Sequence, residues 1–147
     1  MRLYIMRYFQ YILLTVMLLS VSCSGQPSYQ RPLVRDSNVV VKLAALKPDV
    51  PVFYTYRHMG RKISFFVIKI DDKVFSFFDA CENCHHAKLG YRFEEGFLVC
   101  RLCNVRYPVS EIEKGVGSCF PIPLTGRVQD GQYLIHISMI EKMASRF

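Results

Sequence analysis

Residues 63–84 read ISFFVIKIDDKVFSFFDACENC, and their reading decides the fold. Residues 63–70 are the strongest strand signal in the chain, a run dominated by β-branched and aromatic side chains. Asp71-Asp72-Lys73 turns the chain, and VFSFFDA follows as a second run of the same kind. Two such runs around a short polar turn predict a β-hairpin. Their nearly continuous apolar character predicts a core packed on at least one face. The second strand runs through Ala80 directly into Cys81. A rigid strand then positions one thiol, and a tight turn lets Cys84 return to the same point.

Outward from the hairpin, the chain to residue 124 continues HHAKLGYRFEEGFLVCRLCNVRYPVSEIEKGVGSCFPIPL. Residues 79–124 hold five of the six cysteines. Cys81/Cys84 and Cys100/Cys103 form the pattern C-x2-C-x15-C-x2-C, and Cys119 follows after 15 more residues. Four soft thiolates in two such pairs suit a tetrahedral metal site, whether zinc, mononuclear iron or an iron–sulfur cluster. Other readings stand beside it. Exported chains use cysteines in structural disulfides, although a CxxC bridge closes too small a loop to constrain the unfolded chain much. A redox-active CxxC is a further reading. Cys81-Glu82-Asn83-Cys84-His85 also fits the haem c attachment pattern, with His136 or a methionine as second axial ligand. Cys119 reads as a thiol beside the site, a ligand to a second centre or a small buried hydrophobe. His85 and His86 are candidate ligands or hydrogen-bond donors to the thiolates. His58 and His136 read as structural. Asp79 reads as a cap on the first knuckle.

The flanking elements are mostly strands. Val39-Val40-Val41 predicts the first, and residues 52–57 (VFYTYR) a partner for the hairpin across a His58-Met59-Gly60 turn. Residues 43–49 predict a turn or one helical turn that stops at Pro48. FLVC (97–100) is a short strand into the second pair, and QYLIHIS (132–138) is the last. SEIEK (110–114) predicts a helical turn capped by Ser110. MIEKMASRF predicts a short C-terminal helix, capped by Ser138 with Glu141 at its third position. The fold class is therefore mainly β: a small β-rich domain with two CxxC metal knuckles and a short C-terminal helix.

The N-terminus reads as a targeting segment. MRLYIMR is charged, and an apolar run of about fifteen residues follows, short for a membrane span of about 20. The run ends at Ser22-Cys23, a lipoprotein-type junction, so residues 1–22 are expected to be a signal peptide and Cys23 the lipidated N-terminus. Arg2 and Arg7 are not adjacent, so there is no twin-arginine signal. Residues 23–36 are expected to form the lipid anchor and a flexible tether, and 37–147 the domain. The expected location is the cell envelope, membrane-anchored and facing the periplasm or cell exterior. Hydrophobic residues make up 51% of the 147, enough for a core, and the net charge is +7 without a concentrated basic run. That balance suits a surface near anionic lipid and argues against nucleic-acid binding. No Ser-His-Asp set, carboxylate pair or phosphate loop points to a hydrolase or transferase.

FDACENCHHAKLGYRFEEGFLVCRLCNVRYPVSEI followed by GSCFPIPL resembles the FtrD-like membrane iron–sulfur protein family. The shared pattern is FDAC-x-x-C, a GY, VC-x-x-C, then a G-x-C-x-P-I-P-L segment. Phe120 stands where the family often has Asn, and His85-His86 is unusual beside the first pair. The resemblance implies a membrane-associated domain with an iron–sulfur centre, partnered by an iron permease or a membrane redox protein, and electron transfer in iron uptake. It implies Cys81, Cys84, Cys100 and Cys103 as ligands, with Cys119 as an additional one. This chain lacks the multiple spans of longer relatives, so it is expected to be an accessory and not a permease. Export of an unfolded chain favours a metal acquired afterwards, which keeps zinc as the alternative cofactor. In that reading the domain is a non-redox structural module for protein interaction.

Overall fold

The computed structural model describes residues 27–113 and 119–147. The signal segment, Cys23 and the start of the tether lie outside the described residues, as does part of the loop before Cys119. The core is a five-stranded sheet in the order β1 (Tyr29–Gln30), β4 (Val52–His58), β5 (Arg61–Ile70), β6 (Lys73–Cys81), β10 (Pro121–Pro123). A second sheet has the order β11 (Arg127–Gln129), β12 (Gln132–His136), β3 (Asn38–Lys42), β2 (Leu33–Arg35). A third consists of β7 (Tyr91–Glu94), β8 (Phe97–Cys100) and β9 (Arg106–Pro108).

The expected hairpin is β5–β6, in register from Phe65↔Phe78 to Ile70↔Lys73. β4 joins it across Met59-Gly60, both in the left-handed region (φ 46 and 77), as a type I′ turn requires. Successive side chains of β5 point to opposite faces. Ile63, Phe65 and Val67 meet Val39, Val41, Tyr133 and Ile135 of the second sheet. Phe66, Ile68 and Ile70 meet Tyr91, Leu98 and Tyr107 of the third. The unbroken apolar run therefore reflects burial on both faces, and the central sheet is the middle layer of three.

The fold begins earlier than Ser37. Tyr29–Gln30 pairs in parallel with β4, and Leu33–Arg35 pairs with β3 across the Asp36-Ser37 turn (φ 48 and 59). Five residues of the segment read as tether are thus in sheet-edge strands. Strands of two and three residues leave no periodicity to read. Tyr29 is held by long-range contacts, its ring 5.7 Å from that of Phe53.

The C-terminal helix α1 (Ile137–Glu141) is shorter than expected and starts two residues earlier. His136 is its cap, accepting from the Ser138 amide, so β12 ends at His136 and Ser138 lies inside the first turn. Glu141 accepts from Tyr56 at 2.8 Å and pairs with His58 at 3.1 Å. A 3-10 turn, Ala144–Arg146, carries the chain to Phe147, which packs on Phe78. Residues 43–45 form the expected turn as a 3-10 helix. The turn expected at 110–114 is a 3-10 helix over Val109–Glu111 with no side-chain cap, because Pro108 precedes it and Ser110 lies within it.

Candidate metal centre

β6 ends at Cys81, whose side chain turns toward the third sheet. The chain then doubles back, and the Cys84 amide donates to Cys81 Sγ at 3.2 Å. β8 likewise ends at Cys100. Asn104 adopts a left-handed conformation (φ 57) and its amide bonds the Cys100 carbonyl at 2.9 Å, which folds Cys103 back over Cys100. The two knuckles face each other because the residue opposite Cys100 is Tyr91, which follows the first knuckle. Cys119 arrives from a third direction, just ahead of Pro121, the residue paired with Cys81.

The five sulfurs converge as two overlapping trios. Cys81, Cys84 and Cys100 lie within 4.8 Å of one another, and so do Cys84, Cys103 and Cys119. Cys84 belongs to both. Cys103 and Cys119 are 3.6 Å apart, and all five are free thiols. Cys81 and Cys100 are buried and form the floor, whereas Cys103 is exposed at the rim.

Burial first, and then crowding of the thiols, sets the electrostatics. Burial, reinforced by neighbouring thiols, pushes the Cys84 thiol well above its ordinary range. Burial and then Cys103 push Cys119 up to about 11. Burial opposes ionisation of Cys103 as well, but the Val105 amide and the surrounding thiols outweigh it and bring that thiol down. Several thiols this close cannot all ionise unless a cation compensates them. The donor set fits such a cation. Thiolates around one tetrahedral ion, at metal–sulfur distances of about 2.3 Å, sit about 3.8 Å apart.

Neither His85 nor His86 belongs to a cysteine group. His85 Nδ1 instead lies 2.8 Å from the Glu82 carbonyl. The cavity beside Cys81, Cys84 and Cys100 is about 10 Å³, about the space of one water.

Residues 46–147 match the family described as "Membrane iron-sulfur containing protein FtrD-like". The chain belongs to this FtrD-like family. No curated protein matches it. Among solved structures, it is similar to the ferredoxin of carbazole 1,9a-dioxygenase from Nocardioides aromaticivorans IC177. The TM-score is 0.42 at 18% identity, over 72% of this chain and 97% of that one. Among the described residues no helix is long and apolar enough to cross a membrane.

The FtrD-like motif residues that are not cysteines support the knuckles. Asp79 points to the module side and is 5% exposed. It accepts from the Tyr91 amide at 2.7 Å and from the Tyr29 hydroxyl at 2.5 Å. Burial raises its carboxyl to about 6, against the opposing pull of these donors. A Cβ at Gly90 would overlap the Asp79 carboxylate, and Gly90 has φ 68, so the Gly-Tyr step is dictated by Asp79. The Tyr91 hydroxyl donates to the Cys119 carbonyl at 2.7 Å, joining the last cysteine to the same network. In the Pro-Ile-Pro-Leu segment, β10 is an edge strand, where proline's missing amide costs no ladder bond. Ser76 fastens it by donating to the Leu124 carbonyl at 2.5 Å. Phe120 packs on Tyr107, ring centroids 4.9 Å apart, which accounts for an aromatic residue where Asn is common. From sequence alone Asp79 reads only as a cap, and Tyr29 falls within the segment read as tether.

Proposed function

We propose that this FtrD-like protein is exported, anchored to the membrane by a lipid on Cys23, and carries electrons at its cysteine centre in support of iron uptake. The observation that supports this reading is the convergence of Cys81, Cys84, Cys100, Cys103 and Cys119, with Cys84 common to both trios. Cys81, Cys84, Cys100 and Cys103 are the proposed ligands, with Cys119 as a fifth candidate. An iron centre held there would supply reversible one-electron chemistry. Cys81 and Cys100 keep the inner side of the site dry. The Cys84 amide donates a hydrogen bond to Cys81 Sγ, and hydrogen bonds to ligand sulfurs are a lever on potential. Cys103, exposed at the rim, offers the shortest route to a docking redox partner or permease.

A zinc module is the second reading, because the close sulfur spacing suits a single tetrahedral ion, whereas a multi-iron cluster needs its thiolates spread apart. In that case the site holds the module as a rigid interaction surface. The two readings separate on the domain from Ser24 onward, purified without oxygen. Metal and acid-labile sulfide analysis with an ultraviolet–visible spectrum decides between them. Iron with charge-transfer bands that bleach on reduction supports electron transfer. A colourless protein holding one zinc contradicts it.

A further inference from the structure

The cysteine module covers only part of the central-sheet face on which it packs. Along β4 and β5 that face carries Phe53 opposite Phe66, then Thr55 opposite Ser64, then Arg57 opposite Lys62. The two phenylalanines lie under the module. Beyond them the face becomes polar and then cationic. A cavity of about 830 Å³ stands over this end, and Arg31 from the β1–β2 connection and Lys88 from the loop after Cys84 complete its wall. Small-molecule sites commonly fall between about 300 and 1,000 Å³.

The side-chain charges in this cavity are unbalanced, and the main-chain oxygen of Phe147, which also lines it, already accepts from Arg61 at 3.2 Å. Among the described residues, Arg31, Arg57, Lys62 and Lys88 make no side-chain ion pair or hydrogen bond with the protein. Arg57 and Lys62 are directly opposite across an antiparallel pair, where like charges destabilise the sheet. The acidic side chain in the wall is Asp79, and both its oxygens are already taken by Tyr29 and Tyr91. Thr55 and Ser64 hydroxyls, 3.0 Å apart, line the floor and remain able to turn toward a ligand.

We infer that this groove binds a small multivalent anion, one presenting several carboxylate or phosphate oxygens. Arg57 offers a planar fork that matches either group, and Lys62, Lys88 and Arg31 add charge around it. The concavity suits a free ion better than a bilayer surface, which a flat cationic face would fit. The site adjoins the cysteine module, since Lys88 follows the first knuckle and Asp79 precedes it. It does not depend on which metal the cysteines hold.

The test is calorimetric titration of the purified domain from Ser24 with citrate, pyrophosphate and, as a monovalent control, acetate. Citrate or pyrophosphate is expected to bind and acetate not. The Arg57→Ala/Lys62→Ala double variant is expected to lose about tenfold or more in affinity, whereas Arg127→Ala on the opposite sheet keeps it. Without ligand the double variant should melt at or above the wild-type temperature, because a like-charge pair has been removed; a purely structural role would lower it. The inference is overturned if neither polyanion binds the wild type, if the double variant binds equally well, or if the double variant melts lower without ligand. It is also overturned if the protein binds phosphatidylglycerol vesicles through these residues and free polyanions do not compete.

Discussion

The two faces of the central sheet are covered in different ways. On one, Ile63, Phe65, Val67, Phe78 and Ala80 pack against Val39, Val41, Tyr133, Ile135 and Ile140, side chain on side chain, all buried. On the other, Phe66, Ile68 and Phe77 support a module of three short strands whose rim is thiols and whose attachment includes a buried carboxylate. The first face is held by apolar area, which needs nothing but folding. The second concentrates five thiols and one buried acid, a donor set that could hold a cation. One sheet thus separates a scaffold closed by apolar packing from a module whose thiols could hold a metal, which would then couple binding to stability.

This contrast can be broken from either side. Phe65→Ala on the scaffold face should cost most, about 3–5 kcal/mol, measured as a loss of denaturation midpoint equal in loaded and chelated protein. Gly90→Ala should cost roughly 2 kcal/mol, because the added methyl strikes the Asp79 carboxylate and the backbone has a positive φ. Its effect should be uneven: hydrogen exchange would quicken in β7–β9 and around Cys84 while β3 and β12 stay protected. Uniform quickening across both faces would count against a separable module. Tyr91→Phe should cost about 1 kcal/mol by removing the bond to the Cys119 carbonyl. It should also raise the reactivity of Cys119 toward an alkylating reagent more than that of Cys100. Phe120→Asn should be the mildest, about 0.5–1 kcal/mol from the lost pairing with Tyr107, with metal content unchanged.

The scaffold and the sulfur cluster were legible to different depths. Residues 63–81 declared a hairpin because long runs and a polar turn constrain their own neighbourhood. The two cysteine pairs declared a meeting point because their spacing is local within each knuckle. Strands β1, β2 and β10 were not legible, since two or three residues carry no period and two of the three in β10 are proline. Nor was the helix cap, which His136 supplies in place of Ser138. The roles of Asp79 and Tyr29 depend on a contact between residues fifty apart, which no local pattern encodes. Cys119 was visible as a thiol near the site, but its closeness to Cys103 and Cys84 follows from the pairing of β10 with β6.

The most direct measurement counts protected thiols. Protein reduced and loaded anaerobically with its metal, and a chelated control, are alkylated and mapped by mass spectrometry. If the cysteines form one centre, loading should shield Cys81, Cys84, Cys100, Cys103 and Cys119 together, and Cys84→Ser should expose Cys103 and Cys119 even with metal supplied. Equal labelling of the exposed Cys103 with and without metal would contradict the account.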